Sequence, residues 1–223
     1  MSAGVRASRR GFSLIELMVV IIIIGIVAAL AVPTMAAART DRHAYDDAGQ
    51  IMQLFREART RAVARGGAVL IAFNMGGGDL GNFTMWESVA INPGAVGGAN
   101  RTPVSSCKVP TVWAPVNAAN ANLVFVDGVN LNGTIEQQYN FQTQFVVYDP
   151  VSGPQTAFTG GFVCFTPLGH VYFNPVTPDF NGSLPMLSPL EFRVMRTSGG
   201  NPIGTIRSVL IPPNGMARVF SHV

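Results

Sequence analysis

Between Phe12 and Val32 the chain runs for twenty-one residues with a single charge, Glu16. At about 1.5 Å of helical rise each, they reach roughly the 30 Å thickness of a bilayer's hydrocarbon core. Such a run is stable only where something apolar covers it, so the segment is expected to cross a membrane as a helix. Glu16 makes it an unusual anchor. A charged and unpartnered carboxylate in a membrane helix costs on the order of 3 kcal/mol, which calls for a cation nearby. Cutting the chain after Gly11 would supply one, because the new amine of Phe12 lies one helical turn from Glu16.

Other readings of the same residues stay open. Ser13-Leu14-Ile15-Glu16 fits a capping box, in which Ser13 and Glu16 satisfy the first free N–H groups of a helix. Arg6, Arg9 and Arg10 followed by an apolar run and Ala29-Leu30-Ala31 fit a secretory signal, although the glutamate and the length of the run argue against it. A plain uncleaved anchor leaves Glu16 unexplained.

Arg9-Arg10-Gly11-Phe12 with Glu16 five residues after the glycine resembles the class III signal of type IV prepilins and type II secretion pseudopilins. Gly25 inside the run and Pro33 at its end match the same signal and are expected to mark a helix break or kink. The resemblance implies removal of residues 1–11 by prepilin peptidase, N-methylation of Phe12, and assembly with other pilin or pseudopilin subunits through Glu16. It also implies a single-pass protein of the bacterial inner membrane with a periplasmic head. Arg6, Arg9 and Arg10 agree with a cytoplasmic N-terminus, a bias that Arg39 and Arg42 on the far side make modest.

Beyond the apolar run, charged residues are only 12% of the chain, with 24 glycines and 15 prolines, which favours strands and turns in one globular domain. The net charge of +3 belongs to the leader. Without Arg6, Arg9 and Arg10, twelve basic residues face twelve acidic ones, so overall charge does not point to nucleic acid.

Helical periodicity resumes directly after Pro33. Ala44, Ala48, Ile51, Phe55, Ala58 and Ala62 form an apolar stripe, Glu57 and Arg61 an i,i+4 pair, and Gly66-Gly67 a stop. A helix from Phe12 to about Arg65 would be roughly 80 Å long. Strands are expected at residues 68–73, 83–86, 123–126, 145–148, 162–165, 171–173, 190–196, 206–211 and 217–220. Residues 76–122 read as long loops with at most short strands such as Val112-Trp113. Thr166-Pro167-Leu168-Gly169 and Pro212-Pro213-Asn214-Gly215 read as hairpin turns.

The helix ending Ala58-Arg59-Thr60-Arg61-Ala62-Val63-Ala64-Arg65-Gly66 and the turn Phe165-Thr166-Pro167-Leu168-Gly169 resemble the GspH/FimT branch of minor pilins and pseudopilins. The fold class that follows is α+β and pilin-like: a long N-terminal helix, membrane half and then amphipathic half, packed on antiparallel β-sheet. The expected organisation is a cleaved leader over residues 1–11, a membrane and assembly helix over 12–32, an amphipathic helix over 33–66 and a β-rich head over 67–223.

Cys107 and Cys164 have 56 residues between them, and the signal implies delivery to an oxidising periplasm. A disulfide between them would add roughly 4 kcal/mol at most. The alternative is that Cys164 is a buried small hydrophobe.

The sequence carries no nucleophile elbow, zinc-protease helix or phosphate loop, and His43, His170 and His222 lack partners at ligand spacing. No catalytic residue, cofactor or metal is therefore assigned, and an enzyme is not expected. One competing feature is the group Arg193, Arg196, Arg207 and Arg218, which has no acidic residue inside it and reads as a candidate patch for DNA phosphates. Some members of the FimT branch serve DNA uptake, so the resemblance adds weight to that reading, whereas a solvated sheet face is the plainer one. Phe192 and Phe220 are the aromatic residues available there for stacking.

Overall fold

The computed structural model describes residues 13–75, 81–92, 100–132, 141–149, 153–155, 158–198 and 201–222, without side chains at 31–40, 90–92, 100–101, 141, 149 and 222. It divides into two compact units, residues 1–40 and 41–223. Helix α1 (Leu14–Arg65) contributes to both.

The second unit is built on the apolar stripe of α1. Ala44, Ala48, Ile51, Phe55, Ala58 and Ala62, joined by Leu54, are all buried. The small alanines let strands approach the helix, and Phe55 fills the middle of the layer. The helix stops at Arg65, where Gly66 takes a φ of 66°.

Two antiparallel sheets enclose that stripe. The first has the order β3 (Asn100–Pro103), β2 (Asn82–Asn92), β1 (Val69–Asn74), β7 (Gly160–Phe165), β8 (Val171–Asn174). Strand β4 (Leu123–Asn130) pairs with residues 82–88 of β2, and β3 takes 89–92 on the same edge. The second sheet has the order β11 (Arg218–His222), β10 (Asn201–Ile211), β9 (Leu190–Ser198), β5 (Phe141–Asp149), β6 (Gly153–Gln155).

Strand alternation sorts side chains into two cores. Val69, Ile71 and Phe73 of β1 and Val163 and Phe165 of β7 join α1 and the second sheet in the main core. Phe55 lies 5.4 Å from Phe192 and 6.5 Å from Phe83, ring centre to ring centre, so one helical side chain touches both sheets. Leu70 and Cys164, one residue out of phase and directly paired, turn to a second core with Trp86, Cys107, Trp113, Tyr172 and Phe180. The segment after β3 covers this face, and Cys107–Cys164 is a disulfide that fastens it to β7.

Both expected hairpin turns are present. Gly169 N–H donates to Thr166 O at 3.0 Å and Gly215 N–H to Pro212 O at 2.7 Å. Each glycine sits at positive φ, 83° and 74°, where a side chain would be strained.

Several boundaries differ from the sequence reading. Val112-Trp113, read as a strand, belongs to the short helix α2 (Pro110–Trp113). Pro110 starts that turn, and the Trp113 ring is buried with Nε1 donating to Cys107 O at 3.0 Å. Residues 82–92 form one long strand because Phe83 and Met85 point to the main core while Trp86 lies on the other face. Strands β3 and β6 escaped the reading. Apart from Thr102, the Asn, Arg, Gly, Pro and Gln residues there lack strand propensity, and pairing with an existing edge makes them extended.

Candidate functional site

At the start of α1, Ser13 does half of the capping-box work. Its Oγ accepts from Glu16 N–H at 3.3 Å, and its carbonyl accepts from the N–H groups of Glu16 and Leu17. Every described side chain over residues 13–30 is exposed, including thirteen large apolar ones from Leu14 to Leu30. Glu16 stands among them in the first turn as the one charge. Gly11 and Phe12, the expected cleavage and methylation positions, lie outside the described residues.

At Gly25 and Pro33, expected to mark a break or kink inside the helix and not its end, the backbone is helical through both positions and on to Arg65. A proline deletes one hydrogen bond of a long ladder without ending it, and the turns on either side hold their form. Among the described residues, no helix is long and apolar enough to cross a membrane. Residues 14–30 cover about 25 Å at 1.5 Å each, and the sequence-expected span needs both Phe12 and residues 31–32 as well.

The four C-terminal arginines do not form one patch. In β9, Phe192 and Val194 point to the main core, so alternation puts Arg196 on that side and Arg193 on the other. Register places Arg207 in line with Val209, which is in the main core, and Arg218 opposite Leu210 on the outer side. Arg193 and Arg218 therefore share one face, and Arg196 and Arg207 the other. Two of them are also neutralised. Arg193 Nε donates to Glu191 at 2.8 Å, and Arg207 Nη2 donates to Asp41 at 2.7 Å, with the Arg207 guanidinium 5.6 Å from the Tyr45 ring centre and a further bond to Ser221. Phe192 is fully buried and unavailable for stacking on a base, while Phe220 is half exposed.

Residues 6–32 match the family model of the prokaryotic N-terminal methylation motif. The chain carries a prepilin-type N-terminus. This supports a type IV pilin-like, processed and structural protein that assembles with other pilin subunits. The comparisons with curated proteins and with solved structures return no match. The methylation motif spans the basic leader, the glycine, Glu16 and the exposed apolar half of α1. Of the residues singled out from the sequence, the match takes in Gly11, Phe12, Glu16 and Gly25 and ends one residue before Pro33.

Two polar clusters lie within the second unit, and of them the sequence reading had only the Glu57–Arg61 pair. In the first, Glu87 is buried on β2 and accepts from Arg65 Nη1 at 2.8 Å and Arg61 Nη1 at 3.3 Å, while Arg61 Nε also donates to Glu57 at 2.7 Å. The hydrogen bond to Glu57 raises the Arg61 pKa. A lone carboxylate between Met85-Trp86 and Val89-Ala90-Ile91 was the available signal. In the second, buried Glu191 accepts from Arg193, from Ser208 Oγ at 2.6 Å and from the Tyr148 hydroxyl. Burial alone would push this carboxyl up, but the three donors outweigh it and bring it down to about 2. The same hydrogen bond to Glu191 raises the Tyr148 hydroxyl. The signal here was Glu191-Phe192-Arg193, two opposite charges on one face of a strand.

Proposed function

We propose that this chain is a non-enzymatic minor pilin or pseudopilin. Prepilin peptidase would cut after Gly11, the Phe12 amine would be methylated, and the hydrophobic helix would hold the protein in the bacterial inner membrane with its head in the periplasm. The methylation motif over residues 6–32 carries this reading. It is supported by the row of thirteen exposed apolar side chains on α1, a surface far larger than a soluble monomer leaves uncovered.

Assembly exchanges one apolar environment for another. Lipid surrounds the helix before incorporation, and the helices of neighbouring subunits surround it afterwards. The apolar contacts resist sliding only weakly, so the register falls to the charged pair. If Glu16 meets the Phe12 amine of the next subunit, every other stagger leaves a carboxylate buried without a cation. The head supplies the outer surface and the contacts with its neighbours in a type IV pilus or a type II secretion pseudopilus.

The GspH/FimT branch fits the same residues. In that helix ending, Arg65 and Arg61 hold β2 through Glu87, and just before it Arg56 Nε donates to Ala217 O at 2.8 Å, beside the last turn. The DNA-uptake alternative has less support, because its four arginines are divided between two faces of a sheet.

The test is intact mass and N-terminal sequencing of the protein recovered from membranes, with and without prepilin peptidase. The expected product begins at Phe12 and carries one added methyl group, about 14 Da, only when the peptidase is present. A product beginning near Val32, or one retaining residues 1–11 in the presence of the enzyme, would overturn the reading.

A further inference from the structure

Three asparagines in this chain precede a glycine, at 132, 181 and 214. Such a step is prone to attack on itself, because glycine has no Cβ to shield its amide nitrogen from the asparagine side chain. The fold holds the three differently. At Asn214 the nucleophile is occupied: Gly215 N–H donates to Pro212 O at 2.7 Å, Gly215 is buried, and Arg59 and Phe165 crowd the position a Cβ there would take. The Asn214 side chain is held as well, with Oδ1 accepting from Met216 N–H at 3.2 Å. Asn132 Oδ1 accepts from Gly81 N–H at 2.8 Å, and Gly133 lies outside the described residues.

Asn181 is in the opposite situation. Both it and Gly182 are exposed, and no atom lies within 4 Å of the position a Gly182 Cβ would take. Among the described residues, Gly182 N–H has no protein acceptor and the Asn181 side chain makes no hydrogen bond. The turn is pinned on either side of the reacting pair, by Asn181 N–H to Asp179 Oδ1 at 2.8 Å and Ser183 N–H to Phe180 O at 3.0 Å.

We propose that Asn181 is a self-modification site of the folded protein. The Gly182 amide nitrogen loses its proton and attacks the Asn181 side-chain carbonyl carbon. The new C–N bond closes a five-membered succinimide, the bond to the side-chain nitrogen breaks, and ammonia leaves. Water then opens the ring at either carbonyl, to aspartate or to isoaspartate, with no change of oxidation state. The product places a new carboxylate two residues from Asp179, and isoaspartate adds a methylene to the backbone inside the turn. Phe180, the next residue back, is fully buried 6.3 Å from Tyr172 in the core that holds the disulfide. Modification therefore adds a charge and loosens an anchor of the second core. The inference is independent of the pilin reading.

The test incubates the full-length, disulfide-intact chain in detergent at mildly alkaline pH and follows peptides by mass. Asn181 is expected to gain about one dalton at least ten-fold faster than Asn214, with isoaspartate among the products. Unfolding and reducing the chain should bring the two sites to similar rates. Gly182→Ala should slow reaction at 181, and because φ is 76° there, Asn181→Gln serves as a second variant that removes the fast site without altering the glycine. Equal rates at the two sites in the folded chain would overturn the proposal. So would a rate difference that survives unfolding, since the fold would then not be its cause.

Discussion

Arg65 Nη1 lies 2.8 Å from Glu87 Oε2, joining the last turn of α1 to the second strand of the first sheet. Glu87 is buried and takes Arg61 as well, so the carboxylate is the hub and the arginines are its spokes. Removing the hub leaves two arginines that water still reaches, Arg65 more than half exposed, whereas removing one spoke leaves the carboxylate with the other. Glu87→Ala is therefore expected to cost about 2 kcal/mol, and Arg65→Ala at most about 1 kcal/mol. Denaturant unfolding of the detergent-solubilised chain, followed by tryptophan fluorescence, gives both values. Equal costs would mean that the hub assignment is wrong.

Glu191 makes a pH prediction whose sign follows from its lowered pKa. The folded protein holds this carboxyl at about 2 against an ordinary 4.5, so the carboxylate's network is fully formed above about pH 4.5. Its contribution, at most about 3 kcal/mol, fades as the pH falls from 4.5 towards 2. Glu191→Gln should lower stability at neutral pH and flatten the decline between pH 5 and pH 3, both read from urea midpoints. A variant as acid-sensitive as the parent would place the acid response elsewhere.

The disulfide predicts a local rather than a global loss. Cys107 and Cys164 are 57 residues apart, and opening a loop of that size costs roughly 4 kcal/mol in the chain-entropy limit. The bond fastens the segment carrying Trp113, whereas the main core contains neither cysteine. Reduction, or Cys107→Ser with Cys164→Ser, should expose Trp113 and shift its emission to the red before the sheets unfold. Hydrogen exchange should rise first around residues 104–122 and leave β9 and β10 protected.

Much of this architecture is written in local patterns. The stripe from Ala44 to Ala62 has one period and one partner surface, and all six of its predicted positions are buried. The hairpin turns were legible because proline and glycine each admit few conformations at fixed places in a turn. What sequence could not supply is which strands lie together. Arg193 and Arg207 are 14 residues apart and look like neighbours in a basic run, yet strand alternation sends them to opposite faces, each to its own carboxylate. Glu87 fell just past the expected strand at 83–86, and nothing local marks it as a hub because its arginines arrive from a helix more than twenty residues earlier. At the N-terminus the motif was legible because its residues are local: Gly11, Phe12 and Glu16 lie within six positions of one another.

In the proposed pilin role, Glu16 is the residue on which assembly turns, and this can be tested. Its side chain is exposed at the start of α1 amid apolar neighbours, and its own backbone N–H is already capped by Ser13. The cap uses no part of the carboxylate, so replacing Glu16 leaves the helix start intact. Glu16→Val makes the apolar run more continuous and should enter the membrane at least as well as the parent, with the same leader removal. Incorporation into the fibre should nevertheless fall by at least about ten-fold, the loss expected when about 1.4 kcal/mol of register-setting interaction disappears. Glu16→Gln separates charge from shape: it keeps the volume and a hydrogen-bond acceptor but cannot neutralise an amine. If the charge pair sets the stagger, Gln fails as Val does, measured as protein recovered in sheared fibres against protein left in the membrane. If Gln assembles while Val does not, a neutral hydrogen bond is enough, and the role assigned to the Phe12 amine must be given up.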